Sequence, residues 1–171
     1  MIIGDLIQVR PMLLADTDDV IRMRSEASVL SQLFSAAPPT REEHLGWLER
    51  IQKQEDRQEF VIVERRTGRT IGTIGLSNID RRHQRAEFGI LIGASDARGK
   101  GFALEASQLL LDYAFNKLGL HRIYLFVFPE NEAAIQLYQK LGFQQEGLLH
   151  QHVFKDDRFR DVVVFALLRV S

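Results

Sequence analysis

One junction in the chain joins a strand pattern to a helix pattern through glycine: Ile90-Leu91-Ile92-Gly93-Ala94-Ser95-Asp96-Ala97-Arg98-Gly99-Lys100-Gly101-Phe102-Ala103. The apolar start is typical of a strand, and the residues that follow Gly101 have helical periodicity. The first amide N–H groups of a helix lack internal partners and carry partial positive charge. Gly99 and Gly101 permit close approach of the backbone, so the junction favours an anion such as a phosphate.

The junction excludes two common phosphate motifs. A nucleotide P-loop requires G-x-x-x-x-G-K-[ST], and a dinucleotide-binding turn requires G-x-G-x-x-G. Here Phe102-Ala103-Leu104 follow Gly101, so neither fingerprint is present.

A second block lies downstream and reads Asn131-Glu132-Ala133-Ala134-Ile135-Gln136-Leu137-Tyr138-Gln139-Lys140-Leu141-Gly142-Phe143. It resembles the N-x-x-A-x-x-x-Y-x-x-x-G-F segment of the GNAT superfamily of acetyl-CoA-dependent N-acetyltransferases. Arg98 to Ala103 likewise fits that superfamily's Arg/Gln-x-x-Gly-x-Gly/Ala signature. Both blocks stand in the expected order, and the predicted element order resembles the GNAT fold over nearly the whole chain.

Working outward, the patterns predict the order β-α-α-β-β-β-α-β-α-β-β. The fold class is α/β (α+β), with a mixed, mostly antiparallel central sheet of about seven strands flanked by helices. The predicted strands are Leu6 to Met12, Phe60 to Val63, Thr70 to Leu76, Ala86 to Ile92, Arg122 to Phe128, Gln151 to Lys155 and Asp161 to Leu168.

Helix boundaries follow from capping residues. Asp16 can cap a first helix that runs toward Phe34, and Thr40 with Glu43 forms a capping-box signature for a second. A third helix is expected from Gly101 to Gly119, and a short fourth helix after Pro129.

Composition sets the class of protein. The chain has 171 residues, 45% hydrophobic and 26% charged, which predicts a single domain over residues 1–171. It contains no cysteine, so disulfides and thiol nucleophiles are excluded. The net charge of −1 offers no basic field for nucleic acid, and no apolar run is long enough for a membrane span. We expect a cytoplasmic protein with no nucleic-acid or membrane partner, and exposed sheet edges could form a homodimer.

The resemblance implies acetyl-CoA as co-substrate and assigns roles. Tyr138 would be the general acid at the thioester sulfur, and Glu87 the base that acts through water. No metal is expected, since His150 and His152 lack a third ligand. The implied cofactor-binding residues are Leu91, Ile92 and Gly93 for the pantetheine arm, Arg98, Gly99, Lys100, Gly101, Phe102 and Ala103 for the pyrophosphate, and Asn131 for the pantetheine.

The acceptor amine is left open among polyamines, nucleotide-linked amino sugars and protein N-termini. Polyamine enzymes of this superfamily place acidic residues after the first helix and on the strand before Glu87. Here those stretches read Phe34-Ser35-Ala36-Ala37 and Gly72-Thr73-Ile74-Gly75-Leu76-Ser77-Asn78, without a carboxylate. An alkylamine of pKa about 10.4 costs roughly 4–5 kcal/mol to deprotonate at pH 7, against about 1 kcal/mol for an α-amino group. The sequence thus favours a less basic small-molecule or N-terminal amine; the alternative is a non-catalytic acetyl-CoA sensor.

Overall fold

The computed structural model, which describes residues 1–170, is built on one eight-stranded sheet. Its strands are β1 (Ile2–Ile3), β2 (Ile7–Pro11), β3 (Gln58–Glu64), β4 (Thr70–Asp80), β5 (Arg85–Ile92), β6 (Arg122–Val127), β7 (Gln144–Lys155) and β8 (Arg158–Leu168). They lie in the order β1-β2-β3-β4-β5-β6-β8-β7, and every pair is antiparallel except β5 with β6. The predicted sheet is confirmed, with one strand more than expected because β1 is too short to show an alternating pattern.

Five α-helices flank the sheet: α1 (Thr17–Ser25), α2 (Ala27–Leu30), α3 (Arg41–Ile51), α4 (Phe102–Asp112) and α5 (Glu132–Lys140). The predicted capping box of α3 is present, since Thr40 N–H donates to Glu43 Oε2 at 2.8 Å and Glu43 N–H donates to Thr40 Oγ1 at 3.2 Å. The prediction that the first helix continues to Phe34 is wrong. Glu26 adopts an extended conformation, with ψ 127°, and ends α1.

The core forms on both faces of the sheet because the central strands are apolar on both sides. On β3, Ile62 belongs to the cluster packed beneath α4, which includes Ala106 and Leu110. The neighbouring Val61 and Val63 face the opposite way, into a cluster with residues of α1 and α3. Since side chains alternate along a strand, Glu59 shares the face of Val61 and lies on the α1 side.

The parallel strands β5 and β6 pair over only three residues each. Arg85 to Glu87 are matched with Arg122 to Tyr124, after which the two strands separate, although β5 continues to Ile92 and β6 to Val127. The separation opens a V-shaped gap at the carboxyl ends of both strands. As for membranes, the helices within residues 1–170 are all too short or too polar to cross one.

Candidate active site

A cleft of about 1040 Å³ occupies the gap between β5 and β6 and extends over the α1 side of the sheet. It brings together elements that lie far apart in the sequence, from α1 to α5. The predicted site residues that line it are Glu87, Leu91, Ile92, Arg98, Gly99, Gly101, Phe102, Ala103, Asn131 and Tyr138. Gly93 and Lys100 are the two predicted residues that do not contribute to the lining.

The junction from Arg98 to Ala103, called here the phosphate cradle, wraps the start of α4. Gly99 and Gly101 have φ of +71° and +82°, a left-handed conformation that other residues rarely adopt. Within residues 1–170, the amides of 99–104 have no hydrogen-bond partner. Consecutive free amides at a helix N-terminus fit a pyrophosphate. Arg98 is held at the rim by a 3.0 Å hydrogen bond to Ser28 Oγ.

The edge of β5 that faces the gap has no strand partner beyond Glu87. Leu91 and Ile92 pair with Thr73 and Gly72 of β4 on their other side, so their peptide groups border the cleft as an open edge. Such an edge can hydrogen-bond to the amides of an extended ligand as a neighbouring strand would. The pantetheine arm carries amides of this kind.

Gly93 supports the site through packing, and Lys100 lies outside the cleft. The Gly93 amide already donates to Ile71 O at 3.0 Å. A Cβ at Gly93 would lie 2.2 Å from Met23 Cβ, so the glycine allows α1 to pack closely on the sheet. Lys100 is exposed, and its side chain is not part of the cleft wall.

Tyr138 lies at the floor of the cleft and is only 6% exposed. Its ring packs against Phe88, Phe143 and Phe165, with centroids 5.8–6.4 Å away. Burial in this aromatic cluster raises the pKa of Tyr138 to about 12. The hydroxyl has no hydrogen-bond partner among residues 1–170, so a protonated donor is available to a ligand in the cleft.

Asn131 lines the cleft at the start of helix α5, the helix that also carries Tyr138. Its Oδ1 accepts a 3.3 Å hydrogen bond from the Ala134 amide, which makes it the N-cap. The helix therefore starts at Glu132 rather than directly after Pro129. With Oδ1 engaged, the Asn131 amide nitrogen is the group left to donate to a ligand.

Glu87 lies on the floor of the cleft, on β5 opposite Ser77. Its Oε2 accepts a 2.8 Å hydrogen bond from Asn78 Nδ2. Asn78 has a left-handed φ of +50°, at an irregularity of β4 that aims its side chain at Glu87. No pattern in the sequence singled out Asn78, because a single asparagine in a strand does not reveal a bulge.

Three further charged residues line the cleft, Glu59, Arg24 and Lys140, and the sequence did not indicate any of them as a site residue. Burial raises the pKa of Glu59 to about 7, an effect that Arg57 and Arg24 oppose. Burial lowers the pKa of Arg24, and the charge of Glu59 opposes that shift. The usable signal was the shared strand face of Glu59 and the buried Val61. The stretches expected to lack carboxylates do lack them, but β3 supplies one to the same cleft.

Residues 1–170 contain no group of three or more His, Cys, Asp or Glu side chains arranged to hold an ion. His150 Nδ1 lies instead 3.5 Å from Asp161 Oδ2.

The Acetyltransferase (GNAT) domain family matches residues 7–144, and the chain belongs to this family. Together with the open β5 edge and the phosphate cradle, this membership defines an N-acetyltransferase that uses acetyl-CoA.

Particular relatives narrow the comparison. Over 157 residues the chain is 32% identical to the spermidine N(1)-acetyltransferase of Escherichia coli. The matched region covers 92% of this chain and 83% of that protein. It is 44% identical over 110 residues to the uncharacterized N-acetyltransferase p20 of Bacillus licheniformis, but spans only 61% of its length. The crystal structure of spermidine N-acetyltransferase from Vibrio cholerae with CoA and spermine superposes with a TM-score of 0.88, at 30% identity and 95% coverage of each chain.

Proposed function

We propose that the protein transfers the acetyl group of acetyl-CoA directly to a primary amine of an aliphatic polyamine, in a ternary complex. One observation carries the proposal: a single cleft contains the phosphate cradle, the Tyr138 hydroxyl and two carboxylates. The names of the relatives from Escherichia coli and Vibrio cholerae support a polyamine as the acceptor.

In this proposal the cofactor is held mainly by backbone groups. The phosphate cradle binds the pyrophosphate through the free amides of 99–104, and Arg98 adds charge at the rim. The open edge of β5 at Leu91 and Ile92 binds the pantetheine arm, and Asn131 donates from its side-chain amide. Acetyl-CoA supplies an acetyl group activated as a thioester.

Two side chains manage the protons of the reaction. The amine nitrogen bonds to the acetyl carbon as the carbon–sulfur bond breaks, and the amine proton passes through water to Glu87. Tyr138 donates to the departing sulfur. Because its pKa is about 12, the phenol stays protonated throughout the neutral range. No covalent enzyme intermediate is required.

The experiment combines acetyl-CoA calorimetry with thiol release on the same sample, against spermidine, putrescine, an alanine-start peptide and a nucleotide-linked amino sugar. We expect binding, and CoA release with the polyamines. Release only with the peptide or the sugar would reassign the acceptor. Binding without release from any of the amines would favour a non-catalytic sensor, and absence of binding would overturn both functions.

Assembly and location stay predictions. We propose that residues 1–171 act as one domain that contains the whole cleft, and that the protein is cytoplasmic. The edge strand β7 exposes Leu148 and Phe154, which is consistent with the homodimer expected from the sequence. Sedimentation equilibrium measures the assembly directly.

A further inference from the structure

The floor of the cleft contains two glycines that face each other across neighbouring strands. Gly75 of β4 is paired with Gly89 of β5, and Glu59 of β3 is paired with Gly75 from the other side. A Cβ at Gly89 would meet nothing within 4 Å. The two glycines therefore leave a shallow groove, called here the glycine channel, which runs from the gap beside β5 to Glu59.

The carboxylate of Glu59 closes the far end of the glycine channel. A Cβ at Gly75 would lie 2.5 Å from Glu59 Oε2, so the carboxylate fills space that any other residue at position 75 would occupy. Arg57 Nη1 donates to Oε1 at 3.3 Å, and the Arg57 guanidinium lies over the Trp47 ring. Within residues 1–170, Oε2 has no donor, although the side chain is only 18% exposed.

We propose that Glu59 Oε2 binds the distal ammonium of a diamine acceptor whose methylene chain lies in the glycine channel and whose reacting amine lies near Glu87 and Tyr138. This assignment rests on the proposed function. Strand spacing of about 4.8 Å places Gly89 roughly 5 Å, and the gap beyond β5 roughly 10 Å, from the carboxylate over Gly75. Diamines such as putrescine and cadaverine span this range.

The charges around Glu59 limit the acceptor to one distal cation. Two arginines face it, Arg57 and Arg24, while Glu87 is the other carboxylate of the cleft. Burial lowers the pKa of His44, and the charge of Arg24 adds to that shift. Among residues 1–170, Glu59 and Glu87 are the only carboxylates that line the cleft, so a second distal ammonium would meet Arg24 without a carboxylate of its own. Diamines should therefore be better acceptors than spermine.

Burial supports the same assignment. The pKa of Glu59 is raised to about 7 because the effect of burial exceeds the opposing effect of Arg57 and Arg24. An ammonium at Oε2 would favour the charged form and release a proton from Glu59 near neutral pH. Calorimetry at pH 6.5 in buffers of different ionisation enthalpy measures that release.

The test compares cadaverine with pentylamine, which has the same chain but no distal ammonium. In Glu59→Gln we expect the KM of cadaverine to rise at least tenfold and the KM of pentylamine to stay unchanged. In Glu59→Asp the KM of cadaverine should rise less than in Glu59→Gln, because a carboxylate is retained. Glu64→Gln, at the far end of the same strand and outside the cleft, is the matched control and should behave as the unaltered protein.

Three results would overturn the assignment. Equal changes for both amines in Glu59→Gln would make Glu59 a base or a structural residue. Spermine outperforming the diamines would contradict the single distal site. If no amine releases CoA, the proposed function fails, and Glu59 is judged separately by calorimetric binding of cadaverine to the complex with CoA. Lack of binding there, or binding unaffected by Glu59→Gln, would exclude the ammonium site.

Discussion

The two halves of the cleft are built in different ways. The proposed cofactor half consists mainly of backbone groups from one continuous stretch, residues 90–104, with two left-handed glycines, and Asn131 is its contribution from elsewhere in the chain. The proposed acceptor half consists of side chains from separate elements, Arg24 on α1, Glu59 on β3 and Glu87 on β5, and Asn78 on β4 supports it from outside the cleft wall by its hydrogen bond to Glu87. A backbone site depends on local conformation and leaves a motif in the sequence. A side-chain site assembled across strands depends on register and leaves none.

In the proposed mechanism Tyr138 donates to the departing sulfur, so it should affect the reaction without affecting either binding function. Tyr138→Phe keeps the ring and removes the donor. We expect kcat to fall about 100-fold or more, because positioned acids contribute roughly 10²–10⁴-fold. Calorimetry should show an unchanged Kd for acetyl-CoA.

Tyr113→Phe is the control for Tyr138→Phe, because Tyr113 packs against Phe60 outside the cleft. It should retain full turnover. Unchanged kcat in Tyr138→Phe would assign the acid to another group, and weakened acetyl-CoA binding would place Tyr138 in the cofactor half.

Gly101→Val tests the cofactor half alone. A valine at φ +82° is strained and would displace the amides of the phosphate cradle. We expect acetyl-CoA affinity to fall about tenfold to 100-fold, since hydrogen bonds to charged groups contribute roughly 1.5–3 kcal/mol each. Isothermal calorimetry measures the loss.

Gly68→Val is matched to that change: Gly68 has φ +69° in the turn between β3 and β4, outside the cleft. It should carry a similar cost in the free energy of unfolding but leave acetyl-CoA affinity intact. Similar affinity losses in both variants would mean that strain, and not the cradle, decides cofactor binding.

The buried carboxylate of Glu59 should also affect the free energy of unfolding. The pKa of Glu59 rises from 4.5 to about 7 on folding, so the folded state binds more protons between these values and its stability falls as pH rises. Glu59→Gln should therefore raise the free energy of unfolding at pH 8 by about 1–2 kcal/mol, with a much smaller gain at pH 4. Urea titrations at both pH values measure the difference.

If Glu59→Gln raises the free energy of unfolding equally at pH 8 and pH 4, the gain comes from packing and not from the removed charge. A loss at pH 8 would show that Arg57 and Arg24 stabilise the carboxylate more than burial destabilises it.

The sequence anticipated the features that depend on neighbouring residues. The capping box at Thr40 and Glu43 predicted the start of α3, and the glycine junction predicted where α4 begins. The end of α1 at Ser25 was not anticipated, because Glu26 is not a helix breaker by type. Glutamate is a good helix former, so local propensity does not predict the extended backbone at this position.

By itself the sequence indicated the family and the sheet and predicted the cofactor half, because each rests on periodicity or on residues that lie close together in the chain. Only the tertiary structure decided the acceptor half. The register of β3 against β4 sets Glu59 opposite Gly75, and a shift of one residue would turn that carboxylate to the other face of the sheet. Burial then raises the pKa of Glu59 to about 7, and among residues 1–170 its Oε2 has no hydrogen-bond donor. The position of Glu59 in the sequence discloses neither property.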